Sequence, residues 1–345
     1  MYTDSDLESA INKGIFTRDA VEKFRHSYEE QQSSSIADEE NFRLVGGFND
    51  IFVVIISLVV IGSIAALFSS FGGATVGACA VALTSWLLSE YYIRIRRMAL
   101  PSIVLLLMFS GSFAFTASVF YTGVVQGVST NIDLRNFTSF YPLPLFALIG
   151  TLLHWFRFHV PVTIALISAS FAGLSLALLT LWVPETKAYM LYLLAAAGGL
   201  IFLFAMAWDM SDTRRVTRRS DVAFWLHLLA APMIMHPLFQ AMGIMSGEAS
   251  ISMALGVVGA FAFITLCSLL IDRRAFMVSS LAYVLYAMHT LFEDVGSVNE
   301  RLGITGLIVG GSMLLLTAYW EGARTKLVGF APAVLSQRLP AVGRK

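Results

Sequence analysis

Residues 200–241 read LIFLFAMAWDMSDTRRVTRRSDVAFWLHLLAAPMIMHPLFQA: an apolar run, a connection holding Arg214, Arg215, Arg218 and Arg219, then a second apolar run. The same order recurs around Arg94, Arg96 and Arg97, around Arg157, and around Arg273 and Arg274. The connections between these hold only Arg135, Lys187 and Arg301. An apolar stretch of about 20 residues crosses bilayer hydrocarbon as a helix. Basic residues gather in the connections on the cytoplasmic side. The pattern therefore predicts an all-α, polytopic transmembrane bundle whose alternate turns face the cytoplasm.

Working outward from that hairpin gives ten spans: 51–68, 73–90, 99–120, 143–156, 161–183, 188–208, 222–244, 250–271, 275–292 and 303–320. An even number returns both termini to one side, the cytoplasmic one. Three regions result: a cytoplasmic helical hairpin and linker (1–48), the membrane domain (49–321) and a basic tail (322–345). The tail carries Arg324, Lys326, Arg338, Arg344 and Lys345. In the head, Ser5 and Glu8 form a capping box, Gly14 ends the first helix, and Thr17 caps the second. The outer connection 121–142 is long enough for a small cap.

Composition agrees with lipid as the surrounding medium. The chain is 57% hydrophobic and 13% charged, where a soluble domain carries about 25% charged residues. Net charge is zero, but residues 1–50 hold 11 acids against 5 bases, and the four basic turns hold 10 bases. That asymmetry reads as membrane orientation and gives no sign of nucleic-acid binding. Cys79 and Cys267 lie in apolar spans without a CxxC, so they read as packing residues. Acidic and basic side chains all fall at or beyond span ends, which argues against an ion relay through the hydrocarbon.

An internal repeat is visible. Arg97, Arg157, Arg219 and Arg274 are spaced by 60, 62 and 55 residues. Trp86, Ser89, Glu90, Arg96 and Arg97 recur as Trp208, Ser211, Asp212, Arg218 and Arg219, each 122 residues on. We read four two-helix hairpins in one orientation, flanked by the first and last spans. Gly306 and Gly310 form a GxxxG, and Ala195–Gly199 a small-residue run, both suited to close helix packing in lipid.

Polar chemistry inside the spans rests on histidines. His236 follows Asp221 by 15 residues and His289 follows Arg274 by 15, which sets both about 22 Å from the cytoplasmic edge. Each has a polar partner four residues on, Gln240 and Glu293, and Tyr286 precedes His289 by three. Such spacings share a helix face. His236, Gln240, Tyr286, His289 and Glu293 are thus the candidate polar pocket. His227, nine residues before His236, faces the opposite way unless Pro232 bends the helix. His154, beside Trp155, reads as interfacial. No HExxH, GxSxG, P-loop or GxGxxG occurs, so the expectation is a non-enzymatic protein without metal or cofactor.

The head AINKGIFTRDAVEKF (10–24), the acidic linker, RLVGGFNDIFVVIISLVV (43–60) and DVAFWLHLLAAPMIMHPLF (221–239) carry a resemblance. The chain resembles uncharacterised bacterial multi-pass membrane proteins with an N-terminal cytoplasmic helical hairpin, a family of unknown function. The resemblance implies a bacterial inner-membrane location and assigns no site residue.

The leading functional expectation is a permease or facilitator for a small neutral or lipid-like solute, with the bilayer as its medium. One alternative is a membrane sensor or scaffold whose residues 1–48 bind a cytoplasmic protein. Another is a haem-binding or enzymatic membrane protein using paired histidines. Sidedness is directly testable. With Cys79 and Cys267 replaced by alanine, Arg97→Cys and Arg219→Cys should react with an impermeant maleimide only from the cytoplasmic face. Lys187→Cys should react only from outside, and the reverse labelling would overturn the topology.

Overall fold

The computed structural model describes residues 9, 11, 13–23, 48–125, 142–213, 215, 217–243, 251–291, 298–330, 332 and 339–340. All regular structure among them is helical. The principal elements are α1 (Phe48–Ser89), a π-helical turn (Glu90–Ile95), α2 (Ala99–Val125), α3 (Pro142–Phe158) and α4 (Val162–Trp182). A 3₁₀ turn (Pro184–Tyr189) leads to α5 (Met190–Ser211), α6 (Arg218–Ala241), α7 (Ile251–Ile271), α8 (Ala275–Leu291), α9 (Val298–Ala318) and α10 (Trp320–Gly329). In the head, Gly14 takes φ 71°. Thr17 Oγ1 accepts a hydrogen bond from Ala20 N, as a capping threonine should. The outer connection expected to form a cap falls largely outside the described residues.

Long apolar runs form these helices because a backbone in hydrocarbon must satisfy its own hydrogen bonds. The outer surface follows suit: Phe120, Leu200, Phe263 and Leu307 are all more than 60% exposed. The interior is lined by small and hydroxylated residues such as Ser85, Ala114, Thr151, Ala205 and Ser280. Several serines return their hydroxyl to a carbonyl one turn back, including Ser118 to Ala114 O (2.6 Å) and Ser280 to Phe276 O (2.9 Å).

Among the described residues, five helical stretches are long and apolar enough to cross a membrane: Phe48–Ile95, Ala99–Val124, Val162–Trp182, Pro184–Ser211 and Arg218–Ala241. A sixth arises if α9 and α10, bent by 72°, count as one. The ten-span expectation is therefore not reproduced. Pro142–Phe158, Leu255–Ile271 and Ala275–Met288 are apolar but fall short of a full crossing length, and α1 consists of two helical arms joined at a kink.

That kink reverses the chain. Gly72 and Gly73 leave helical geometry, and Gly73 adopts φ 74°, ψ −177°, a conformation open to glycine alone. A Cβ on Gly77 would lie 2.9 Å from Ala65 O and 2.0 Å from Ser69 Oγ. In a continuous helix, residues twelve apart are about 18 Å apart along the axis. So the two arms of α1 fold back on each other.

Neighbours in sequence pack as neighbours in space: α1 with α2, α2 with α3, α3 with α4, α5 with α6, and α7 with α8. Contacts between elements distant in sequence include those of α6 with α4 and α8, which hold the halves together, and of α7 with α10. The turns at Arg97, His159, Arg215 and Asp272 each contain one non-glycine residue at φ 52–55°. Trp225, near the start of α6, and Ile93 pack against the cluster of Ile103, Leu106, Phe158, Val160 and Val162, and Arg215 bonds Asp272, which places the four turns at one end of the bundle. A repeat of equivalent hairpins does not extend to the interior. The positions 122 residues before Asp209, His227 and Arg273 are Leu87, Leu105 and Thr151. The glycine motifs diverge too. A Cβ on Gly198 would strike Met233 Cβ at 2.8 Å, while Gly306 and Gly310 have nothing within 4 Å.

These contacts set a stability test. Gly77→Ala forces a methyl against a backbone carbonyl and should cost about 1–3 kcal/mol. Gly62→Ala, with open space around it, should be neutral or slightly stabilising. Thermal unfolding in detergent micelles compares the two.

Candidate functional site

The end of the bundle bearing the basic turns contains a buried charge network. Asp209 lies in the last turn of α5, His227 on α6, and Arg273 between α7 and α8. They are 3%, 0% and 1% exposed. Arg273 Nη2 donates to Asp209 Oδ1 at 2.5 Å and Nε to Oδ2 at 3.2 Å, a two-pronged fork. Nη2 also reaches Ser220 O at 3.3 Å, and Ser268 Oγ donates to Arg273 O. One carboxylate thus joins α5, α6 and the α7–α8 turn.

His227 Nε2 lies 2.8 Å from Asp209 Oδ2. An ionised carboxylate only accepts, so Nε2 carries the proton. Nδ1 is buried without a partner, which fits a bare lone pair better than a second N–H. The ring is flanked by Phe202 at 5.4 Å and Phe276 at 6.0 Å between centroids. With a neutral imidazole, the Asp209 and Arg273 charges cancel.

A second layer surrounds this unit. Arg215 Nη1 donates to Asp272 Oδ2 at 2.8 Å, and Nη2 to the carbonyls of Ile271 and Asp272. Trp320 Nε1 donates to Asp272 Oδ1 at 2.8 Å, and Arg324 Nε approaches the same oxygen at 3.5 Å. The Arg274 guanidinium lies 4.8 Å over the Trp320 ring. Burial, then the adjacent Arg273 charge, push the Arg215 guanidinium down from its ordinary pKa. Asp212 takes the N–H and hydroxyl of Thr217, which in turn caps α6 through Arg219 N.

The pocket read from the sequence is assembled only in part. His236 Nδ1 is 2.7 Å from the hydroxyl of Tyr283 on α8, and Tyr283 stacks on Phe239 at 4.6 Å. Gln240 is exposed, and Tyr286 is 45% exposed. His289 lies in α8, its side chain outside the described residues, as is Glu293. The partner of His236 is thus Tyr283, which sequence reasoning passed over. Both histidines of α6 border α8: His227 meets Phe276 and His236 meets Tyr283, seven residues apart on one helix face. Pro232 lies between them in the chain and Pro237 just beyond.

His154, read from the sequence as an interfacial residue, points into the bundle. It is wholly buried among Trp86, Phe109 and Phe158, at 6.4, 6.0 and 4.5 Å between centroids, with neither ring nitrogen hydrogen-bonded. Among the described residues, no three His, Cys, Asp or Glu side chains gather as a metal site. An open groove of about 400 Å³ lies elsewhere, lined by Leu87, Glu90, Tyr91, Arg94 and Ile95.

The burial of Arg273 had a faint signal. The α7–α8 connection is three residues long, Asp272 to Arg274, so the helix ends lie close and one of its side chains can turn inward between them. No protein-family model, curated protein or solved structure matches the chain.

Removing one charge of the inner pair leaves the other stranded, which costs about 3–5 kcal/mol. Arg273→Met and Asp209→Leu should each lower the unfolding temperature steeply in micelles. The double variant should recover most of the loss, and simple additivity would refute a coupled pair.

Proposed function

We propose that the protein is a permease or facilitator of the bacterial inner membrane for a small neutral or lipid-like solute, and that the α6–α8 seam is its path. The observation that carries this is the polar lining of α6. It is the most enclosed of the candidate spans, with 50% of its most apolar window buried against 11–39% in the others. Yet it holds two histidines and two prolines. Each histidine bonds a group on a neighbouring helix: Asp209 on α5 and Tyr283 on α8. His227 and Pro237 are buried, while Pro232 lies on the exposed face; polar groups and helix breakers inside a membrane bundle are costly, and they mark solute pathways.

In this reading the Asp209–His227–Arg273 unit closes one end of the path. The His236–Tyr283 pair stands about 13 Å further along α6. The unit carries no net charge, which suits a neutral cargo better than an ion.

The ten-span arrangement, with both termini cytoplasmic, belongs to the same proposal. Its supports are the reversal of α1 at Gly72 and Gly73, which lets that element cross twice, and the left-handed residue common to all four basic turns. Shorter apolar helices cross by thinning the bilayer or by presenting interfacial residues at their ends.

The test is flux in proteoliposomes. Uptake of small polyols and amides, and flip-flop of a fluorescent phospholipid, should exceed protein-free vesicles for one of these cargo classes. His236→Ala and Tyr283→Phe should each cut that flux by about tenfold, equivalent to 1.4 kcal/mol on the barrier, without changing insertion. If neither cargo class moves, and residues 1–48 instead capture a cytoplasmic protein, the sensor or scaffold reading replaces this one.

A further inference from the structure

We propose that the groove beside the π-helical turn binds an anionic phospholipid, with the lipid phosphate on Arg94 and Arg96 and its chain along Leu87 and Ile95. This is independent of any transport path. The groove holds about 400 Å³ and is lined by Leu87, Glu90, Tyr91, Arg94 and Ile95, within the usual range for a small-molecule cleft of about 300–1,000 Å³.

The turn that builds it is unusual. Arg96 N bonds Tyr91 O, five residues back, and Met98 N bonds Tyr92 O. This wider winding ends the long apolar stretch that begins at Phe48. Such π segments recur at functional sites.

Its charges are arranged for an anion. Arg157 of α3 donates to Glu90 through Nε (2.6 Å) and Nη2 (3.0 Å), and Arg94 Nη1 donates to Glu90 at 2.8 Å. Glu90 is therefore engaged by three donors and has little capacity left for a choline or ethanolamine cation. Arg96, next in the chain to the lining residue Ile95, lies 6.0 Å over the ring of the lining Tyr91, and exposed Arg97 follows. Four guanidiniums against one carboxylate leave a local charge of +3. Guanidiniums grip phosphate oxygens with paired N–H groups.

The walls select lipid over a soluble anion. Leu87 is 61% exposed and Ile95 70% exposed, on either side of the charged cluster. Tyr91 is amphipathic and suited to the headgroup level. An apolar wall beside a cationic rim at the end of a membrane helix matches a headgroup with its acyl chain, and fits free phosphate or an acidic peptide less well.

Native mass spectrometry on protein released from phosphatidylcholine nanodiscs containing a minority of phosphatidylglycerol tests this. Wild type should retain phosphatidylglycerol preferentially. Arg94→Gln and Arg96→Gln should each weaken retention about five-fold, the equivalent of about 1 kcal/mol per basic residue. Arg96 takes no part in the Glu90 ion pairs, so its variant carries the test if Arg94→Gln disturbs the fold. Arg219→Gln, an equal charge loss at the start of α6, should leave retention unchanged. Equal retention of phosphatidylcholine, an equal loss in Arg219→Gln, unaltered binding in Arg96→Gln, or displacement of the lipid by inorganic phosphate would each overturn the assignment.

Discussion

An arginine that cannot reach water governs how the second half of this bundle closes. Arg273 is held in a turn of three residues with its guanidinium inside. Desolvating that charge costs several kcal/mol, recovered only where a carboxylate meets it in good geometry with its remaining donors occupied. Asp209 supplies the carboxylate, Ser220 O takes a further donor, and His227 satisfies the same carboxylate from the other side. These partners come from different helices, so the ends of α5, α6, α7 and α8 cannot move apart without stranding a charge. The outer Arg215–Asp272–Trp320 layer extends the constraint to α10.

The membrane class was legible because it rests on a quantity that sequence carries directly, the length of its apolar runs. Boundaries of the hairpins around α5–α6 and α7–α8 follow from the same signal. The break inside α1 was legible as well: the apolar run divides into spans ending at 68 and beginning at 73, and helical geometry fails at Gly72 and Gly73. What the sequence concealed is which side of a turn each charge faces. Asp209 and Arg273 stand correctly at span ends, but a position at an end says nothing of burial. Two adjacent arginines, 273 and 274, take opposite fates: one goes inward to a carboxylate, the other lies over an indole. Rotation about the helix axis decides that, and rotation is fixed by neighbours far away in the chain.

The candidate pocket shows the same limit. Spacing placed Gln240 and Tyr286 near the histidines because residues three or four apart share a helix face. It could not say which face looks at another helix. Tyr283, three residues before Tyr286, turns toward α6 and takes the hydrogen bond, while Tyr286 is largely exposed. Similarly, nine residues between His227 and His236 implied opposite directions unless Pro232 bent the helix, and both rings border α8. An α8 face repeating every seven residues can meet both, because Phe276 and Tyr283 lie on one stripe of that helix.

The two halves of the molecule thus solve one problem in different ways. In the first, His154 is enclosed by aromatic rings and serves as one more ring. Leaving a buried polar group without a partner costs about 1–3 kcal/mol, and three aromatic neighbours at about 0.5–1.5 kcal/mol each can offset that. In the second, His227 is tied to a charged pair, where a hydrogen bond to an ionised group is worth about 1.5–3 kcal/mol. An aromatic cage tolerates small shifts of its rings, since stacking energies vary slowly with distance. A carboxylate fork does not, because its bonds weaken within a few tenths of an ångström. Mobility along the α6–α8 seam therefore has to come from the chain between the fixed points. That is the stretch where Pro232 and Pro237 have removed two rungs of the backbone ladder.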